Sequence, residues 1–164
     1  MSSKPKLMIV PVTGLILMLT ASPVAWGATT NTRESDSASR SQMKLNIIVA
    51  GNTLTATLVD NATTRDFIKL LPLNLSMGDL FGREKFSKLP KALSDGPRTR
   101  RYKVGDIAYW SPSGDLAIYY KQAGDAIPSP GIIVLGKIAS GIESFAVAGS
   151  VRVTIELAKG GAHP

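Results

Sequence analysis

Val104–Phe145 reads VGDIAYWSPSGDLAIYYKQAGDAIPSPGIIVLGKIASGIESF, and this stretch decides the fold. It holds three short apolar runs, Ile107–Trp110, Leu116–Tyr120 and Ile132–Leu135. Ser-Pro-Ser-Gly-Asp separates the first two, and a longer Gly-, Ser- and Pro-containing loop separates the second from the third. Apolar runs too short for helices and punctuated by turn residues predict buried strands. Within such strands neighbouring side chains point to opposite faces, so in Tyr109-Trp110 and in Tyr119-Tyr120 one ring enters the core and the other leaves it. The two outward rings then either pack plainly or line a groove suited to apolar or Pro-containing ligands.

Upstream the pattern has period two. Leu45, Ile47 and Val49 share one face, as do Leu54, Ala56 and Leu58, and Gly51-Asn52 between them predicts a hairpin turn. Thr63-Thr-Arg-Asp66 fits a capping box, with Phe67, Leu70 and Leu71 at helical spacing and Pro72 ending the run. A second short helix or turn is expected over Ala139–Ala148, with Ile142 and Phe145 inward. Val151, Val153, Ile155 and Leu157 then alternate with polar residues, giving a last strand able to pair with the first and close a barrel. The predicted fold is thus mainly β, a closed antiparallel barrel with two short helices.

The same residues carry a resemblance. Gly105-Asp-Ile, Tyr109-Trp110-x-Pro112 and Leu135-Gly-Lys-Ile-x-Ser-Gly141 are similar to segments of bacterial cyclophilin-like proteins, and the likeness extends over Met43–Leu157. Gly131–Gly141 resembles the cyclophilin strand that ends in Phe-Gly-Lys-Val, and Leu116–Tyr120 resembles the Gln-Phe-Phe-Ile strand. The resemblance implies a cyclophilin-like barrel. It also implies that Lys88 occupies the position of the cyclophilin catalytic arginine, and that Ile127 and Ile132 replace a ligand-contacting tryptophan and histidine. An alternative for Phe81–Pro90 is an edge strand with solvent-facing lysines. A ligand groove over Lys88, Tyr109, Trp110, Tyr119, Tyr120 and Ile127, covered by the loop Gln122–Pro130, follows from the same comparison.

Other chemistry is scarce. The chain of 164 residues has no cysteine and one histidine, His163. Disulfides, histidine triads and multi-imidazole zinc sites are thereby set aside. No Walker loop or Gly-x-Ser-x-Gly elbow occurs, and no cofactor or metal is expected. Asp106 and Asp115 read as turn caps rather than as an acid–base pair.

The formal charge is +7. Arg98, Arg100, Arg101 and Lys103 form a basic loop beside Tyr102, whose composition suits a solvated surface; nucleic acid is not an expected partner. Residues 1–27 have the layout of a signal peptide: Lys4 and Lys6, an apolar run over Leu7–Ala21, then Ala25-Trp-Gly27. Cleavage is expected after Gly27; the alternative is an uncleaved N-terminal anchor, for which the apolar run falls short of the ~18 to 20 residues a spanning helix needs. Export to the periplasm or exterior is therefore expected, with residues 28–42 a disordered linker, 43–158 the domain and 159–164 a flexible tail.

Three functions are compatible with this reading. The first is a non-catalytic module binding a peptide or small apolar ligand. The second is a weak peptidyl-prolyl isomerase, which would have to lower a barrier of about 18–20 kcal/mol without that arginine. The third is an assembly partner using a barrel face. Oligomeric state is not legible in the sequence.

Overall fold

A computed structural model describes residues 42–124 and 126–159. The expected signal peptide, nearly all of the linker and the tail beyond Lys159 lie outside these residues. Among the described residues no helix is long and apolar enough to cross a membrane.

The described residues form eight strands: β1 (Lys44–Val49), β2 (Asn52–Leu58), β3 (Leu73–Leu80), β4 (Glu84–Lys88), β5 (Asp106–Trp110), β6 (Asp115–Tyr119), β7 (Ile133–Ile138) and β8 (Val151–Leu157). Among the described residues one α-helix, α1 (Ala62–Ile68), follows β2, and a single 3₁₀ turn spans Ile142–Phe145. The strands close into a barrel in the order β1-β2-β7-β5-β6-β4-β3-β8, every pairing antiparallel. As the alternation at both ends of the domain predicts, β8 returns to β1, with Ile47 opposite Ile155 and Val49 opposite Val153. Full closure leaves no edge strand exposed to unwanted pairing.

The period-two faces are those read from the sequence. Leu45, Ile47, Val49, Leu54, Ala56 and Leu58 point inward and join Ile107, Tyr109, Leu116, Ile118, Ile133, Leu135, Val153 and Ile155 in one core. Phe67 of α1 is buried against it, as is Phe145 of the 3₁₀ turn. Strand β3 was not assigned from the sequence, although Leu73, Leu75 and Met77 carry its alternation.

Three local expectations shift. The first hairpin turns on Ala50-Gly51, not Gly51-Asn52: Asn52 already pairs with Val49, and both turn residues have positive φ, 48° and 80°. A primed two-residue turn needs this backbone, and the second position accepts the glycine most readily. The cap of α1 is Asn61 rather than Thr63. Asn61 is extended and its Oδ1 accepts from the Thr64 amide at 2.8 Å, while its side-chain amide donates to the Val134 carbonyl at 3.1 Å. Asparagine caps as well as threonine, and here it also ties the helix to β7. Thr63 is consequently a buried helix residue whose hydroxyl has no partner among the described residues, and Asp66 turns to Lys69 and Ser94.

The third shift concerns the lysines of β4. Lys88 is exposed at the strand end, but Lys85 points into the barrel and its side chain is fully buried. Its ammonium donates to Asp79 at 2.8 Å and to the backbone carbonyls of Val147 and Gly149. Asp79 also accepts from the Tyr120 hydroxyl at 2.7 Å and from the Gly82 amide at 2.9 Å. A buried ammonium with three donors and three acceptors is satisfied, which is the condition for tolerating it there.

Candidate functional site

Strands β4, β6 and β5 lie side by side, and their outward residues form rows across the barrel wall. Glu84 faces Tyr119, Phe86 faces Ala117, and Lys88 faces Asp115; Ala117 faces Ala108 and Asp115 faces Trp110. The small alanines in the middle row leave a depression between larger neighbours. Tyr102, Tyr119, Ile127 and Ile132 pack with Ala108 and Ala117 on this outer face, and Trp110 leans on the same cluster.

The result is a cleft of about 310 Å³. Its walls are Phe81, Phe86, Trp110, Ile127 and Pro128, and its polar lining comes from Arg83, Glu84 and Tyr119 and from Ser113 and Asp115. The loop that covers it is fastened from the basic segment: the Ile127 amide donates to the Arg100 carbonyl at 2.9 Å, and Arg100 Nε returns a bond to the Ile127 carbonyl at 2.8 Å. Arg98 is similarly occupied by Asp95, Ser111 and the Gly131 carbonyl. Two of the four basic side chains in that loop therefore hold structure together.

The groove residues expected from the sequence separate into three groups. Trp110, Tyr119 and Ile127 come together in the cleft. Tyr109 and Tyr120 are the inward members of their pairs, Tyr109 in the barrel core and Tyr120 packed against it. Lys88 shares the outward face but stands exposed beyond the lining, opposite Asp115. Ile132 is buried in the same outer cluster. Asp106 and Asp115 lie at opposite ends of the β5–β6 hairpin. Asp106 accepts from the Lys103 amide at 2.8 Å and Asp115 accepts from the Ser113 hydroxyl, so both are turn caps.

The basic side chain inside the cleft is Arg83, five positions before Lys88. The turn between β3 and β4 delivers it. Phe81 sits at the tip with φ 55°, a left-handed backbone that a bulky residue adopts only against a steric cost. Its ring is 77% exposed at the rim of the cleft. The Arg83 guanidinium carbon lies 5.3 Å from the Phe81 ring centre and 5.5 Å from that of Tyr102, a cation held between two aromatic faces. Tyr102 is itself stacked on Tyr119, centroids 4.2 Å apart.

Glu84 stands beside Arg83, its Oε2 3.6 Å from Nε, too long for a hydrogen bond. Both side chains are more than nine-tenths buried. Neither Arg83 Nε nor Glu84 Oε2 has a hydrogen-bond partner among the described residues. Burial pushes the Glu84 carboxyl above the usual carboxylate range, against the opposing pull of the Tyr119 hydroxyl and the Arg83 guanidinium. Tyr119 is pushed well above an ordinary phenol, first by burial and then by the Glu84 charge. Buried polar atoms are nearly always paired, so this loosely matched ion pair beside an apolar cleft is an exception that singles the cleft out as the candidate site. One signal for this site is present in the sequence, the Phe-Gly-Arg-Glu run at 81–84, which looks like any solvated charged turn until β4 sets its phase.

Among the described residues no cluster of acidic or histidine side chains is placed to hold a metal ion. No curated protein matches the chain. Among solved structures, the solution structure of a hypothetical protein from Archaeoglobus fulgidus is similar, with a TM-score of 0.57 and 24% identity over 71% of this chain and 95% of that one. That likeness shows a shared fold. The sequence model of the cyclophilin-like family matches residues 47–156, from β1 into β8, and the chain therefore belongs to the cyclophilin-like family.

Proposed function

We propose that the protein is an exported, non-catalytic binding module whose outer cleft takes a short peptide or small apolar ligand. The observation that carries this reading is the outer cleft of about 310 Å³, walled by Phe81, Phe86, Trp110, Ile127 and Pro128, with the nearly buried Arg83 held between Phe81 and Tyr102 among its lining residues. A concave apolar surface with a few convergent polar groups is the usual form of a ligand site. Its export rests on the layout of residues 1–27 alone.

The test is a screen of short peptides and small apolar compounds, read by melting temperature and by tryptophan fluorescence. Trp110 lines the cleft and is one of only two tryptophans in the chain, the other being Trp26. Hits should raise the melting temperature of the wild type and lose most of that effect in Arg83→Ala. A broad screen in which neither readout moves would count decisively against a binding module.

A second reading, weak prolyl isomerisation, gains from the same arginine. A guanidinium fixed between two rings can brace a substrate with several donors, whereas the exposed Lys88 offers one mobile charge. Isomerisation of Xaa-Pro peptides that persists in Lys88→Ala and disappears in Arg83→Ala would favour catalysis in this cleft. No acceleration over a broad panel would leave the binding module.

A further inference from the structure

We propose that the cleft prefers an apolar body carrying one ammonium group, with the ammonium seated beside the Asp115 carboxylate and the Trp110 ring. This rests on the binding reading above and specifies its ligand. A free arylalkylamine and a lysine side chain in a peptide share this chemistry.

Charge narrows the choice first. The lining carries three charged side chains, Arg83, Glu84 and Asp115. Arg83 and Glu84 are ion-pair partners 3.6 Å apart and more than nine-tenths buried, so each answers the other's charge. Asp115 differs from both. It is half-buried, its carboxylate accepts from the Ser113 hydroxyl, and it forms no ion pair among the described residues. Lys88 faces it across β4 and β6, but is exposed and stands outside the lining. The charge that the cleft leaves for a ligand to neutralise is therefore negative.

Strand phase then separates the two ends of the cleft. Asp115, Ala117 and Tyr119 alternate along the outer side of β6, and Glu84 faces Tyr119. At about 3.3 Å per residue, the Arg83–Glu84 end lies ~13 Å along the strand from Asp115. That exceeds the ~8 Å over which charges act through physiological salt, so Arg83 does little to repel a cation at Asp115. Between the ends, the small Ala117 opposite Phe86 leaves room for an apolar body. Beyond it Trp110 faces Asp115 across the β5–β6 hairpin. Indole is the aromatic ring that attracts a cation best, and a carboxylate beside it adds a full opposite charge. Together they favour an ammonium over a hydroxyl of the same size and repel a carboxylate.

The experiment uses the full chain and three probes of nearly the same shape: phenethylamine, phenethyl alcohol and hydrocinnamate. A second arm compares acetyl-Phe-Lys-amide with acetyl-Phe-norleucine-amide. Dissociation constants are measured by NMR titration at low and high salt for the wild type, Asp115→Asn and Lys88→Ala, each checked for native melting. The amine is expected to bind about fivefold tighter than the alcohol, the consequence of one partly exposed ion pair with a cation–π contact, and to shift the Trp110 indole resonance. Asp115→Asn and high salt should each erase most of that preference, whereas Lys88→Ala, which removes the competing cation opposite Asp115, should enlarge it. A lysine peptide that binds tighter than its norleucine counterpart supports the inference with a peptide as the source of the ammonium; a preference confined to the free amine supports it with a small molecule as the source. Equal binding of the charged and neutral members in both arms would overturn the ammonium inference while leaving the binding cleft in place, as would a preference that persists in Asp115→Asn or shrinks in Lys88→Ala. Tightest binding by hydrocinnamate would overturn it in favour of an anion at the Arg83 end. If none of the probes binds while other compounds from a broad screen do, the ammonium inference alone fails; if nothing binds, both readings fail.

Discussion

Lys85 and Lys88 are three residues apart on one strand, yet the barrel treats them as different kinds of residue. Lys88 is exposed and contributes a solvated charge. The Lys85 side chain is fully buried, and its three donors hold Asp79 and the carbonyls of Val147 and Gly149. Its ammonium also lies 5.6 Å from the centre of the Tyr120 ring. Removing it leaves a carboxylate and two carbonyls short of a partner, which costs far more than the pair contributed when intact. Lys85→Met should therefore lower stability by about 3 kcal/mol, since Asp79 keeps some access to water that softens the loss. Lys88→Met should stay within about 0.5 kcal/mol of the wild type. Urea denaturation of the two variants makes the comparison, and similar midpoints would refute the role given to Lys85.

At the level of elements, the seam between β2 and β7 is the shortest register in which two strands meet around the first hairpin, with Ala56, Thr57 and Leu58 opposite Ile138, Lys137 and Gly136. A Cβ at Gly136 would lie 2.7 Å from the Thr57 carbonyl oxygen and 3.2 Å from a Leu58 methyl. The neighbouring atom is backbone, so the strand itself must move. Gly136→Ala is expected to cost about 1–3 kcal/mol, the range for overpacking, and to raise hydrogen exchange first in β2 and β7. Uniform loss of protection around the barrel would show that the seam is not where the strain falls. Most strands and their faces are legible in the sequence because a closed barrel enforces alternation, β3 and the phase of β4 being the exceptions, and the pairing of β8 with β1 follows from matching apolar faces at the domain's two ends. Local starts were less legible. Asn61 and Thr63 both satisfy the rule for a helix cap, and only the bond from Asn61 to Val134 on a strand some seventy residues later decides between them. The site was harder still. Trp110, Tyr119 and Ile127 were recoverable from alternation and resemblance, but Arg83 and Glu84 become cleft residues only once β4 is phased by the inward Lys85, and inward lysine is the choice that hydrophobic patterning argues against.

Across the whole molecule, the titratable groups predict an asymmetric response to pH. Asp79 is held below the usual carboxylate range, chiefly by its bond from Lys85 and then by Tyr120, and Asp66 is held low by Lys69 and Ser94. Such groups stabilise the fold above the unfolded carboxylate value near ~4, and that contribution is lost as pH falls through their lowered folded values. Glu84 has the opposite sign: burial raises it, so its contribution is complete below the unfolded value and is lost as pH rises through its folded one. Stability therefore rises with pH up to the ordinary carboxylate values and, through Glu84, falls above them. At the alkaline end Tyr120 is pushed up to about 12, first by burial and then by the Asp79 carboxylate. Its stabilising contribution is complete below the unfolded phenol value of ~10 and disappears as pH climbs toward 12. Urea midpoints measured from pH 2 to 12 should show an acid limb that flattens in Asp79→Asn and an alkaline limb that is shallower in Tyr120→Phe. Glu84→Gln should abolish the fall of stability with pH just above the ordinary carboxylate range, because it removes the raised group that titrates there. An acid limb unchanged in Asp79→Asn would mean that the Lys85 cluster does not set the acid response, and that acid acts on carboxylates such as Asp66 at the surface instead.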